Sequence, residues 1–220
     1  MSIPLRHPAP AVALHQVYRY LGCGNTPTPE VEALCRELLP EFLSTLDCLA
    51  CYLEVAVSVR EDMVFLEGLA PIRSAALARN LAGCEKALLF AATIGSSADR
   101  QRMQAQVRSP ARAVVLDAMG TAAVEALCNA LCEAWRQAYA PLQLRPRFSP
   151  GYGDLPLSLQ PALLTLLDSA RQAGISLSEG LMMLPHKSVS AIVGIGKAGC
   201  YAPEHDCSAC SKTDCAFRLK

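Results

Sequence analysis

Cys51-Tyr-Leu-Glu-Val-Ala-Val-Ser-Val-Arg-Glu61-Asp62-Met63-Val-Phe-Leu66 is the stretch that decides the fold class. Cys51, Leu53, Val55, Val57 and Val59 alternate with Tyr52, Glu54 and Ser58, the period of two that puts apolar side chains on one face of a pleated strand. Glu61-Asp62 then turns the chain straight into a second β-rich run, Met63 to Leu66, so the two runs read as a hairpin. Ala87-Leu-Leu-Phe-Ala-Ala-Thr-Ile94 reads as a buried strand by its length and its bounding glycine, and Val189 to Ile195 as a further β-rich strand. Strands that meet as hairpins more than through regular βαβ units imply an α+β fold, a mostly antiparallel twisted sheet packed with helices.

The helices follow from a period near 3.6. Val31, Leu34, Cys35, Leu38, Leu39, Phe42, Leu43 and Leu46 recur at helical spacing behind Thr28-Pro29-Glu30, which supplies a cap, a first-turn proline and an acid at the positive end. Pro40 is expected to kink or split this helix. An earlier helix is predicted through Ala11 to Leu21, a short one opens at Ser74 and ends near Gly83, and a polar one starts at Ser96. Ser109-Pro110 starts a long Ala-rich helix spanning Ala111 to Tyr139, Pro141 to Pro156 reads as loop, and Ser158 to Ala173 as a helix stopped by Gly174. Residues 1–196 are thus expected to form one α+β domain, and 197–220 a short cysteine-rich C-terminal tail.

With 220 residues, 52% of them hydrophobic, the chain can bury a substantial core. Its net charge is zero, its Lys and Arg are scattered, and its six Tyr are not interleaved with them, which argues against a nucleic-acid surface or an anionic membrane as partner. The N-terminus, Met-Ser-Ile-Pro-Leu-Arg-His-Pro, lacks an apolar core of signal-peptide length. Ala111 to Leu131 is interrupted by Arg112, Asp117, Gly120 and Glu125, the pattern of a buried helix more than of a membrane span. Eleven cysteines without a secretion signal fit a reducing, cytoplasmic setting.

Two motifs carry the chemistry. In Arg147-Phe-Ser-Pro-Gly151-Tyr152, a guanidinium can fork onto a carboxylate, the glycine allows close backbone approach, and the tyrosine offers a flat wall. Leu177-Ser-Glu179-Gly-Leu-Met-Met-Leu-Pro185-His-Lys-Ser188-Val-Ser190 adds an acid and two hydroxyls. Together they suit the polar head of an amino-acid-like ligand.

These residues resemble the reactivation domain of cobalamin-dependent methionine synthase, which binds S-adenosylmethionine beside the corrinoid. The family signature R-x-x-x-G-Y is matched by Arg147, Gly151 and Tyr152; its Leu-Thr-Glu, Met, Pro and Ser-Val-Ser by Leu177-Ser178-Glu179, Met183, Pro185 and Ser188-Val189-Ser190. A ligand-facing glutamate in an alanine-rich helix corresponds to Glu125, and the likeness runs over roughly residues 110–201, to Tyr201. The resemblance implies that Glu125, Arg147, Gly151, Tyr152, Glu179, Ser188, Ser190 and Tyr201 bind S-adenosylmethionine. It further implies cobalamin presented by a separate corrinoid-binding methyltransferase protein, and a flavodoxin-like or ferredoxin-like electron donor. The expected activity is reductive remethylation of that corrinoid, since pterin, homocysteine and cobalamin domains do not fit in this chain.

Gly194-Ile-Gly196-Lys-Ala-Gly199 fits the dinucleotide fingerprint, but no helix and strand can follow in the remaining chain, so it reads as the exit from a last strand. Cys200, Cys207, Cys210 and Cys215 can place four sulfurs around a zinc ion or an iron-sulfur cluster, with His205 as a possible substitute and a redox dithiol at Cys207 and Cys210 as the alternative. The methionine synthase domain lacks such a tail, which leaves open an iron-sulfur electron-transfer module with a vestigial pocket, or a zinc-stapled interaction subunit. Cys128 and Cys132, one turn apart, and Cys48 and Cys51 read as small buried hydrophobes, and His186 as a polar turn residue that could border the corrinoid.

Overall fold

A computed structural model describes residues 1–24 and 26–197. In chain order its elements are β1 (Ile3–His7), α1 (Leu14–Tyr20), α2 (Pro29–Ser44), β2 (Cys48–Arg60), β3 (Met63–Leu66), β4 (Ile72–Arg73), α3 (Ala75–Asn80), β5 (Cys84–Thr93), α4 (Ser96–Arg108) and α5 (Pro110–Ala138). They continue with β6 (Gln143–Leu144), a 3-10 turn (Leu157–Leu159), α6 (Gln160–Leu166), α7 (Ser169–Ala173), β7 (Ser176–Leu177), β8 (Met183–Leu184) and β9 (Ser188–Gly196).

The main sheet runs β4-β3-β2-β5-β9-β6, with every pairing antiparallel. The predicted hairpin is its outer part, Val57 facing Leu66 and Arg60 facing Met63. β2 is long enough to serve two neighbours along one edge, β3 near its end and β1 near its start, where Ile3 faces Tyr52 and His7 faces Cys48. β1 has no counterpart in the sequence reading. Its Pro4 lacks a ladder donor, and an edge strand is where a proline can sit.

β5 and β9 form the centre, paired from Cys84 with Gly196 to Thr93 with Ser188. Both strands are buried on two faces, which is why each reads as a continuous apolar run instead of an alternation. Leu88, Phe90, Ala191 and Val193 face one core with Val17 of α1, Phe42 of α2 and Met119 and Leu127 of α5. Leu89, Ala91 and Ile192 face a second core with Leu77, Leu81, Phe148, Leu163 and Leu167. Trp135, near the end of α5, meets Phe90 edge-on at 5.2 Å and Tyr52 at 5.4 Å, fastening the helix across two adjacent strands. The apolar length of α5 would suffice to cross a membrane, but its buried face is spent on the sheet.

Two local expectations are corrected, and of the kink or split expected at Pro40 the split is removed. α2 runs from Pro29 to Ser44 without a break, so Pro40 is accommodated within it and does not split it. α1 is shorter than Ala11 to Leu21, starting at Leu14. The single helix expected over Ser158 to Ala173 is a 3-10 turn and two short helices, because Asp168 adopts a left-handed conformation at φ 48° that an aspartate tolerates better than most residues. The break lets Leu163 and Leu167 on one side, and Ala173 and Ile175 on the other, reach the same core.

Gly194 and Gly196 lie inside β9, and their role is steric. A Cβ on Gly194 would stand 2.7 Å from Leu81 Cδ2, 2.8 Å from Cys84 Sγ and 2.9 Å from Arg145 Cγ. The glycines make room for the buried Arg145 to lie across the strand, which accounts for the G-x-G without a nucleotide.

Two outcomes follow from this packing. Gly194→Ala forces three neighbours to move, and urea unfolding should show a loss of about 1–3 kcal/mol, the usual cost of overpacking a core. Burial pushes the Cys128 thiol from 9.0 up to about 12, with Arg147 opposing in part. The unfolded chain therefore gives up this proton first, so the stability it contributes is complete below pH 9 and is lost as the pH rises towards 12. Unfolding free energy measured across that window should fall less steeply in Cys128→Ala than in the parent.

Candidate functional site

Arg147 follows β6 on the strip of chain that continues along β9, where the Phe148 and Ile192 backbones exchange hydrogen bonds at 2.9 Å. Successive side chains on an extended segment point to opposite faces. Phe148 accordingly enters the core with Leu163 and Ile192, and Arg147 points to the α5 side. There its Nη2 donates to Glu125 Oε2 at 2.8 Å. The pair is partly exposed, with Arg147 the more buried partner at 23% side-chain exposure against 41% for Glu125. Arg147 Nη1, by contrast, is buried without an oxygen acceptor among the described residues, and the Cys128 thiol is the weak acceptor that the guanidinium has on that side.

The thiols beneath the pair belong to the same helix. Cys128 and Cys132 both feel the Arg147 and Glu125 charges, yet burial dominates and pushes both thiols up, Cys128 to about 12. They are packing groups at neutral pH, as their spacing suggests. On the open side of Glu125 lies a cleft of about 200 Å³ bounded by Gln16, Arg19 and Tyr20 of α1 and by Ala122, Ala126 and Asn129 of α5. Tyr20 is half-buried, and its phenol is pushed up by burial first and by the Glu125 carboxylate second. Nothing in the sequence marked α1 as a wall of this cleft. A Tyr at a helix end is ordinary, and only the tertiary packing of α1 on α5 puts it beside Glu125.

The rest of the first motif faces the other way. Gly151 has φ 86°, the left-handed region that favours glycine, while an added Cβ would meet only Leu157 at an ordinary 3.5 Å. The positive φ of the turn accounts for a glycine at this position. That turn is tight: Gly151 N donates to Leu155 O at 2.9 Å, and Asp154 caps α3 by accepting from Ser74 Oγ and from the Ala75 amide at 2.7 Å. Ser74 and the α3 amides hold the Asp154 carboxyl below its ordinary value, so this anchor weakens only in acid. Tyr152 is 64% exposed and meets Phe148 edge-on at 5.5 Å, on the side of the strand opposite to the Arg147 guanidinium.

The second motif is a hairpin and a strand start. Glu179 is exposed in the turn between β7 and β8, where Ser178 N donates to Met182 O at 2.9 Å, and none of its interactions among the described residues joins it to Arg147. Ser188 Oγ is spent on Pro185 O at 2.6 Å, and Ser190 Oγ is buried with no partner among the described residues. His186 is fixed to the start of α4, its amide donating to Asp99 Oδ2 at 2.9 Å and its Nδ1 lying 3.4 Å from the same oxygen. Lys187 reaches α5, 3.0 Å from Asp117 Oδ1 and 2.9 Å from Thr121 Oγ1. The motif is therefore stapled to both helices.

Of the sequence-predicted site residues, the fold brings Glu125 and Arg147 into contact and leaves Tyr152 and Glu179 outside that contact. Tyr201 and the four cysteines Cys200, Cys207, Cys210 and Cys215 lie outside the described residues. Among the described residues no three His, Cys, Asp or Glu side chains gather as metal ligands.

No protein-family model matches the sequence, and no curated protein matches it. Solved structures do. The crystal structure of the MetH reactivation domain, solved with AdoHcy bound, matches with a TM-score of 0.71 over 92% of this chain and 80% of that chain, at 14% sequence identity. At such identity the likeness is one of fold: an α+β domain with a mostly antiparallel sheet and a long helix, similar to the MetH reactivation domain.

Proposed function

We propose that the chain binds S-adenosylmethionine at Arg147 and Glu125 and supports remethylation of a corrinoid carried by a partner protein. The observation that carries this reading is the Glu125–Arg147 pair, whose buried Nη1 has no oxygen acceptor and meets only the weakly accepting Cys128 thiol among the described residues. A desolvated guanidinium donor with only a weak sulfur acceptor is poorly satisfied, and an incoming carboxylate supplies a strong one. An amino-acid head group carries both charges, so it replaces one ion pair by two: its carboxylate on Arg147 and its ammonium on Glu125. The fold likeness to a domain solved with AdoHcy adds weight from an independent direction.

The corrinoid would supply the nucleophilic cobalt that accepts the methyl group once one electron has arrived from a flavodoxin-like or ferredoxin-like donor, S-adenosylhomocysteine being the leaving product. The chain's own contribution is to hold the methyl donor in place, so proximity and orientation supply the acceleration. Glu125 also sets a negative charge where a sulfonium ligand is cationic. Tyr152, exposed beside Phe148, and Ser190, with its free hydroxyl, are proposed to meet the ligand further from the ion pair. Ser188, bonded to Pro185 O, frames the second motif, and Glu179, exposed in its turn, is proposed to meet the ligand from there.

Calorimetric titration with S-adenosylmethionine is the test. Arg147→Ala should weaken binding by about 2–4 kcal/mol, because the charge-assisted contact goes and the ligand carboxylate is left unpaired. Arg147→Lys, which keeps the charge and loses the fork, should fall between parent and alanine variant. Parent protein that takes up no S-adenosylmethionine, or an alanine variant that binds like the parent, refutes the assignment.

A further inference from the structure

A second cleft, of about 390 Å³, opens on α5 on the far side of Tyr20, between α4 and α5. This size falls within the range of about 300–1,000 Å³ common for small-molecule sites. Its walls are apolar, with Pro110, Ala113 and Ala118 beside a Val114 that is 60% exposed in the free protein. The polar end is built by Arg102, Gln106, Asp117 and Thr121.

Competition among those charges decides what the cleft can take. Asp117 Oδ1 is held by Lys187 Nζ at 3.0 Å, while Arg102 Nε stands 3.9 Å from the same oxygen, beyond hydrogen-bond reach. Lys187 therefore takes the carboxylate, and Thr121 Oγ1 accepts a second bond from it at 2.9 Å. Among the described residues the other polar contact of Arg102 is a long one, from Nη1 to Gln106 Oε1 at 3.4 Å. A guanidinium has five donors, and this one, two-thirds buried at 32% side-chain exposure, spends little of that capacity. Arg102 is the cation that lines the polar end, and the carboxylate lining it, Asp117, is already paired with Lys187 from outside the cleft.

We propose that this cleft binds a small organic anion with a flat apolar body, its anionic group on the Arg102 guanidinium and its body between Val114, Ala118 and the Tyr20 ring. The site is separate from the Arg147 pair, and Tyr20 is the wall the two clefts share. Arg is suited to this task because its planar fork meets carboxylate, sulfonate or phosphate oxygens two at a time.

The aromatic sulfonate 1-anilinonaphthalene-8-sulfonate is a direct probe, since its fluorescence rises on entering an apolar site. The native full-length chain, its near-UV circular dichroism unchanged by the probe, should bind it saturably at one site. Arg102→Met keeps the apolar stem and removes the donors, and should weaken binding at least about tenfold. Val114→Asp should do the same by placing a like charge on the wall. Arg100→Met, which removes an exposed arginine of the same helix bonded to Ser96, is the control for non-specific charge and should change nothing. S-adenosylmethionine titration of Arg102→Met should match the parent, separating this site from the one at Arg147. Unsaturable binding, or an Arg102→Met variant that binds the probe like Arg100→Met, overturns the proposal.

Discussion

The pairing of Cys84–Thr93 with Ser188–Gly196 is the constraint on which the rest of the molecule depends. These strands are distant in sequence, yet they lie side by side at the centre of the sheet and are covered on both faces. Everything between them must leave one strand and return beside it. That excursion is the α4–α5 pair, the first-motif loop and the α6–α7 layer, and it ends with the two motifs on adjacent stretches of chain. Burial of both faces also sets the energetics. Each fully buried Leu, Ile or Phe contributes roughly 1.5–3 kcal/mol by leaving water, and a polar group placed there must bring its own partner.

α5 is the second organising element, and it works as a graduated rod. Asp117 and Thr121 hold Lys187 of the second motif, Glu125 holds Arg147 of the first, Cys128 fills the space beneath that arginine, and Trp135 locks the far end onto Phe90 and Tyr52. Residues three or four apart lie on one helix face, so a single stripe carries these contacts in order. The two motifs are thereby referred to one rigid element. This is the kind of support that can fix a binding geometry, because Arg147 and Lys187 are both held by charged partners on one helix.

Much of this was legible beforehand, and the reasons differ from element to element. The β2–β3 hairpin, α5 and the central strands announced themselves by period, length and bounding residues. β1 did not, because a five-residue edge strand containing Pro4 offers no alternation to read. The break at Asp168 was hidden for a related reason: its φ of 48° is imposed by the need of two short helices to follow one curved core, and no local signal requires it. Of the candidate site, Glu125 and Arg147 were found through their motif context. Tyr20 was not, since its relevance arises only when α1 packs across α5. The direction of Tyr152 was also beyond reach, because the alternation of Arg147 and Phe148 is visible only once their strip of chain is known to run beside β9.

That alternation carries a physical consequence for the first motif. Arg147 is committed to the helix side and Phe148 to the opposite core, so the Gly151-Tyr152 turn begins on the side away from the guanidinium. The arginine, the glycine and the tyrosine therefore do not form one wall. They grip the edge of the sheet from two sides, the arginine through Glu125 and the turn through Phe148 and the Asp154 cap on α3. A ligand whose charged head lies at Arg147 must cross the Arg147–Phe148 backbone to touch Tyr152. That requirement favours an extended molecule with a charged head and a flat distal part over a compact amino acid, which would meet the ion pair and nothing else of the motif. In the proposed site, the spacing R-x-x-x-G-Y would therefore set the two ends of the grip on opposite sides of the chain that pairs with β9.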